Sequence, residues 1–132
     1  MSIFSNKNIT TRAIGDLGEK HVEKLLKKRG CKICARNYRK PYGELDIVAD
    51  DGELLLFVEV KTRHANSLTM GTDAVDKRKI RRIIKTASAY LLEYKLDRYC
   101  RFDVAEVYFD SKKLKPVKIN YIENAFEAGE YY

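Results

Sequence analysis

Two short segments carry most of the reactive side chains worth arguing about: Gly43-Glu44-Leu45-Asp46 and, beyond an Asp-Gly turn, Glu59-Val60-Lys61. Side chains alternate along an extended strand. Glu59 and Lys61 therefore share one face and Val60 takes the other, while Asp46 shares a face with Glu44. Hairpin register decides which residues stand opposite. A two-residue Asp51-Gly52 turn pairs Asp50 with Glu53, which sets Asp46 opposite Phe57 and Glu44 opposite Glu59. A four-residue loop sets Asp46 directly opposite Glu59. Either register leaves Asp46, Glu59 and Lys61 on one face of the hairpin, and a slip by one residue would separate them.

Two carboxylates this close repel one another, and a hard divalent cation between them resolves the conflict. Mg²⁺ takes one or two protein carboxylates and fills its remaining positions with water and phosphate oxygens; Mn²⁺ is the natural substitute. Such an ion activates water and polarises a phosphodiester together. Lys61 can orient the attacking water or stabilise charge developing on the phosphate. The competing explanation is a surface ion pair between Glu59 and Lys61 beside a polar turn. An isolated Glu-x-Lys would favour that explanation. Asp46, the hairpin, and charges emerging from an apolar strand favour a metal site with Asp46 and Glu59 as ligands.

The elements that must position these residues follow from periodicity. From Ala13, the residues Ile14, Leu17, Val22, Leu25 and Leu26 fall on one helical face, and Gly30 ends the helix. A short strand is expected over Cys31 to Arg36, then a turn at Pro41, Tyr42 and Gly43. Glu44 to Ala49 alternates as a strand. Leu54 to Lys61 is an apolar run suited to a central strand covered on both faces. Thr62 to Gly71 reads as a loop. Thr72 or Asp73 can cap a helix from about Ala74 to Tyr94, with Ile80, Ile83, Ile84, Ala87 and Leu91 as its stripe. Strands are expected at Phe102 to Phe109 and Lys118 to Ile122. The order predicts an α/β fold, a mixed sheet of about five strands flanked by helices. It predicts one domain over residues 1–132, with residues 1–12 as an arm.

The chain carries 26 Lys and Arg against 19 Asp and Glu, a formal net charge of +7. A basic domain attracts polyanions, of which nucleic acid is the commonest. The densest charge lies at the start of the long helix, where Lys77, Lys79 and Arg81 can neutralise phosphates without reading sequence. Arg63 and His64 leave the end of the Glu59 strand, and Arg36 and Arg39 precede its partner; all four are candidates for the same role. No segment approaches the roughly 20 apolar residues that span a bilayer. The first residues lack the apolar core of a secretory signal, so a cytoplasmic location is expected. Three cysteines, with Cys31-x-x-Cys34 lacking further ligands at metal spacing, read as reduced thiols.

Several segments resemble the YraN-like family of small bacterial proteins. That family is a branch of the PD-(D/E)XK nuclease superfamily similar to archaeal Holliday junction resolvases. The matching segments are Gly15-Asp16-Leu17-Gly18-Glu19, Arg36-Asn37-Tyr38-Arg39, Gly43-Glu44-Leu45-Asp46-Ile47-Val48, Phe57-Val58-Glu59-Val60-Lys61-Thr62-Arg63, Arg101-Phe102-Asp103-Val104 and Asn124-Ala125-Phe126. Leu45 stands where the superfamily pattern has proline, as in its resolvase-like branch. The resemblance implies a restriction-endonuclease-like core and metal-dependent cleavage of DNA, with branched or structured DNA as substrate. It implies Asp46 and Glu59 as metal ligands, Lys61 as the catalytic lysine, Glu19 as an auxiliary acid, and a homodimer. Glu19 borders the apolar face of the first helix, a phase compatible with that role. A protein that keeps the fold and binds DNA with little hydrolysis is the alternative, and the intact Asp46, Glu59 and Lys61 set argues for the enzyme.

Overall fold

A computed structural model describes residues 11–65, 76–110 and 112–131. The elements are α1 (Thr11–Lys28), β1 (Lys32–Lys40), β2 (Gly43–Asp50), β3 (Leu55–His64), α2 (Lys77–Glu93), β4 (Cys100–Phe109), β5 (Pro116–Phe126) and a 3₁₀ turn, Ala128–Tyr131. The strands form one sheet in the order β1-β2-β3-β4-β5. β3 and β4 are parallel, and every other neighbouring pair is antiparallel. That one parallel pair needs a crossover, which α2 occupies. The result is the mixed α/β sheet expected from the order of elements.

Each helix covers one face. Ile14, Val22 and Leu26 of α1 pack on Ile47, Leu56, Val58, Val107 and Phe109. Ile80, Ile83, Ile84, Ala87 and Tyr90 of α2 pack on Phe57, Phe102 and Val104. β3 runs through both layers, so Leu55 to Val58 are all buried, as its unbroken apolar run requires. Gly18 lets α1 lie flat on the sheet, because a Cβ there would stand 2.6 Å from Thr62 Cγ2. Gly30 (φ 92°) ends α1 with the Cys31 amide donating to the Leu26 carbonyl at 2.9 Å.

Several boundaries differ from expectation. β1 runs to Lys40, and β3 passes Lys61 to include Thr62, Arg63 and His64, because β4 continues the parallel ladder as far as Phe109. α2 is capped by Asp76, whose carboxylate accepts from the Lys79 amide at 2.8 Å. The expected caps Thr72 and Asp73, the start at Ala74, most of the Thr62–Gly71 loop and most of the 1–12 arm lie outside the described residues. Thr11 and Arg12 belong to α1.

Candidate functional site

Register places the acidic pair first. Asp50 pairs with Leu55 and Ile47 with Val58, so the hairpin loop has four residues and Asp46 stands across from Glu59. The loop is fixed locally. Asp51 accepts from the amides of Glu53 (2.9 Å) and Leu54 (2.6 Å), and Gly52 takes φ 99°. A two-residue turn would break those bonds.

The β2–β3 ladder stops at Ile47 and Val58. One residue further, the Asp46 carboxylate accepts from the Val60 amide at 2.8 Å. The side chain thus takes a backbone donor and lies across the gap between the strands. Alternation also breaks there. Leu45 packs with the α2-side core and Ile47 with the α1-side core, although simple alternation would set both on one face. The cause stands on the neighbouring strand. Arg36 pairs with Ile47 and Tyr38 with Leu45, which leaves Asn37 opposite Asp46. Asn37 has φ 50°, a left-handed conformation that asparagine tolerates better than most residues. The kink opens the sheet at Asp46.

Both helices reach toward this opening, α2 into the cleft of Asp46 and Glu59 and α1 into a separate one lined by Asp16, Glu19, Arg36, Asn37 and Ile47. From α1, Glu19 forms a side-chain hydrogen bond with Asn37 and feels the charges of Asp16, Glu44 and Glu59. Burial, the largest influence, pushes the Glu19 carboxyl up. Asp46 is pushed further, up to about 8, by burial first and then by the charge of Glu59. The charge of Glu59, and to a lesser degree that of Glu19, adds to burial in favouring the protonated form of Asp46. From α2, the Lys79 ammonium reaches Glu59 Oε1 at 2.8 Å, with the two side chains 42% and 7% exposed. Burial alone would lower Lys79, but Glu59, with Asp46 and Asp76 behind it, raises it. An open cleft of ≈ 470 Å³ contains Asp46 and Glu59 and is walled by Gly43, Glu44, Lys79 and Arg82.

A divalent cation fits this donor set. The raised Asp46 carboxyl and the ammonium on Glu59 are two ways of answering the same excess of negative charge. Asp46 and Glu59 would hold the ion, with water and phosphate supplying its other ligands. Among the described residues no group of three or more His, Cys, Asp or Glu side chains is placed to hold a metal ion.

The remaining candidates are dispersed. Lys61 lies two residues past Glu59 on β3, half-buried, and outside the cleft wall. Arg36 pairs with Glu23 of α1, through Nε at 2.8 Å and through Nη2. Arg39 pairs with Glu44 at 3.2 Å. Arg63 is turned inward onto the fully buried Glu106 at 3.0 Å and is itself 10% exposed. His64 ends β3, half-buried. Lys77 and Arg81 are exposed on α2. Arg81 joins Arg39, Lys40, Tyr42, Arg82 and Lys85 around a second cleft of ≈ 800 Å³, which abuts the acidic one through Gly43, Glu44 and Arg82.

Asn37 as a part of the site, and the contact of Lys79 with Glu59, were not evident from periodicity. Asn37 was legible only as an asparagine inside a matching motif. The link from Lys79 to Glu59 joins elements 20 positions apart in sequence, and no local pattern reports it. A third motif has a structural explanation. Asp103, 1% exposed, accepts from Arg101 Nε (2.8 Å) and Nη2 (2.9 Å), Tyr121 Oη (2.6 Å) and the Asn124 amide (2.9 Å). The Arg101-Phe102-Asp103-Val104 segment and Asn124 therefore tie β4 to β5.

What fold and cleft define is an α/β domain whose sheet parts between β2 and β3 over a pair of neighbouring carboxylates, with a lysine from a helix closing on one of them. By sequence, the chain belongs to the Uncharacterised protein family UPF0102, whose family model matches residues 18–107. A UPF0102 protein of Alkaliphilus metalliredigens is 42% identical over 117 residues, 88% of this chain and 99% of its own length. One from Caldanaerobacter subterraneus is 37% identical over 121 residues, 91% of this chain and 99% of its own. Among solved structures, the chain is similar to Hjc of Archaeoglobus fulgidus, a Holliday junction resolvase. That likeness has 20% identity and a TM-score of 0.41, covering 84% of this chain and 89% of that one. Among the described residues no helix is long and apolar enough to cross a membrane.

Proposed function

We propose that this protein is a Mg²⁺-dependent endonuclease that hydrolyses DNA phosphodiester bonds, with branched or structured DNA as its substrate class. The observation that carries the reading is the Asp46–Glu59 pair. Two carboxylates stand together in an open cleft beside a basic helix, a costly arrangement that a bound cation relieves. The bound ion would lower the pKa of a coordinated water and polarise the phosphate.

The chain's own residues supply the rest. Asp46, anchored by the Val60 amide, lines the cleft. Glu59 presents the second carboxylate from β3. Glu19, raised by burial and held by Asn37, is a proton carrier at the α1 side of the opening. Lys61 lies beside Glu59 and is the residue proposed to steady the attacking water or the charge on the phosphate. Lys77 and Arg81, with Arg82 and Lys85, are the proposed phosphate contacts along α2, and a net charge of +7 favours the encounter. A homodimer would bring two such sites to the two strands of a junction.

A second reading is a DNA-binding accessory protein with little hydrolysis. It is favoured by Lys79, whose ammonium neutralises Glu59 from α2. Cleavage assays on duplex, flap and four-way-junction DNA, with Mg²⁺ or Mn²⁺ and with chelator, decide between the two. The nuclease reading expects metal-dependent cutting by wild type and a loss of orders of magnitude in Asp46→Asn. Equal cutting by both proteins would remove Asp46 from the chemistry. DNA binding without cutting under every condition would select the accessory protein.

A further inference from the structure

The position of Lys79 is at odds with its own helix. It sits in the first turn of α2, at the positive end of the helix dipole, where cations are disfavoured, and that turn contains no acidic residue. Lys77 and Arg78 precede it and Arg81 and Arg82 follow, so its neighbours repel it too. The Asp76 cap offsets this in part, and the larger compensation lies on another element. The ammonium crosses to Glu59 on β3 at 2.8 Å and also feels Asp46. Glu59 is 7% exposed, so this cation is the partner that lets a largely buried carboxylate exist. The ammonium therefore stands against one of the two carboxylates proposed to hold the metal.

A monovalent ammonium and a divalent ion a few ångströms apart repel by several kcal/mol even at an effective dielectric of about 20. They compete for the same carboxylate. Lys79 is able to yield. Its side chain is 42% exposed, has a flexible four-carbon stem, and lines an open cleft of ≈ 470 Å³. Arg63, in contrast, is 10% exposed against Glu106 and has no such freedom.

We infer that Lys79 is a built-in counter-cation of the acidic site: it holds Glu59 in the metal-free protein, and a divalent ion displaces it toward the mouth of the cleft. The inference rests on the metal-site reading above and adds a step to it. The ammonium released at the cleft mouth stands where a DNA phosphate must enter, so metal loading and phosphate capture are coupled through one side chain. Lys79 is a positioning residue for Glu59 before the metal binds and a phosphate contact afterwards.

The structure supplies two reporters that separate this step from metal binding itself. The Val60 amide donates to Asp46 and reports a cation at Asp46. The Lys79 Cε resonance reports the ammonium. Full-length protein carrying ¹⁵N and ¹³C-lysine is titrated with Mg²⁺ in the absence of DNA, with the Lys79 signal assigned from its loss in Lys79→Arg. The expected result is that the Val60 amide and the Lys79 Cε signal move over the same Mg²⁺ range. Lys79 should end at the shift of solvent-exposed lysines, with the Lys77 signal unmoved. In Asp46→Asn, neither Val60 nor Lys79 should respond. If Val60 moves and Lys79 keeps its metal-free shift at saturation, the displacement is wrong while the metal site stands. If neither moves at any Mg²⁺ or Mn²⁺ concentration, the metal-site reading falls and the displacement falls with it.

Discussion

Replacing Asp46 by Asn should stabilise the metal-free protein at alkaline pH, by an amount that the geometry sets. The Asp46 carboxyl titrates near 3.8 in an unfolded chain and is pushed up to about 8 in the folded one, by burial first and then by Glu59. Between those values the folded protein keeps a proton that the unfolded chain has lost. Unfolding then releases a proton, so stability falls as pH rises from about 4 and levels off above about 8. Each pH unit of difference corresponds to about 1.36 kcal/mol, which puts the full effect on the order of 5 kcal/mol. Water entering the open cleft reduces it, so about 2–4 kcal/mol is expected between pH 5 and pH 8.5. Asn cannot ionise, and its amide oxygen can still accept from the Val60 amide. The variant should match wild type at pH 5 and exceed it by that amount at pH 8.5. Urea unfolding of both proteins at the two pH values, in chelator, measures the difference. A wild type equally stable at both, or a variant that loses stability in parallel with it, would refute the argument that the site stores uncompensated charge.

The other predictions use different parts of the molecule. Mg²⁺ at about 100 times its dissociation constant should stabilise wild type at pH 8.5 by about 2.7 kcal/mol, reversed by chelator and absent in Asp46→Asn, as read from the same unfolding curves. Replacing Lys77 and Arg81 together by Ala should weaken DNA binding across sequences and reduce the slope of log affinity against log salt by about 2, measured by fluorescence anisotropy. An unchanged slope would move the DNA path off α2. Asp103→Ala removes the acceptor of Arg101, Tyr121 and the Asn124 amide and should cost about 3–5 kcal/mol, with a fall in the urea midpoint. A change below 1 kcal/mol would mean that β5 is held to β4 by its ladder alone.

Much of the framework was legible in the residues. The unbroken apolar run before Glu59 announced a strand buried on both faces, because only such a strand has no solvent side to alternate toward. The stripe of Ile80, Ile83, Ile84 and Ala87 announced the helix that covers it. The Asp-Gly hairpin announced that Asp46 and Glu59 would meet, though not in which register. The four-residue loop was settled by Asp51, whose carboxylate binds two loop amides, a local preference with no clear signature against the two-residue alternative. The alternation rule held along β3 and failed across Asp46, because Asn37 on the neighbouring strand adopts a left-handed conformation and reverses the faces around it.

The charges show the same division. By itself the sequence determined which acids would meet on one hairpin, that the protein would be basic, and that the basic residues would cluster on α2, since these depend only on residue type and local periodicity. It did not determine which cations would be free. Arg36, Arg39 and Arg63 each found a carboxylate on another element or along the sheet, and Lys79 found Glu59. Those pairings depend on distances between α1, α2 and the sheet, which are set by Gly18 against Thr62 and Gly43 against α2. Short-range preferences wrote the strands, helices and acidic motif into the sequence. Only the packed arrangement decided which charges face one another, because Coulomb interactions follow separation in space and residues far apart in the chain meet only after the layers close.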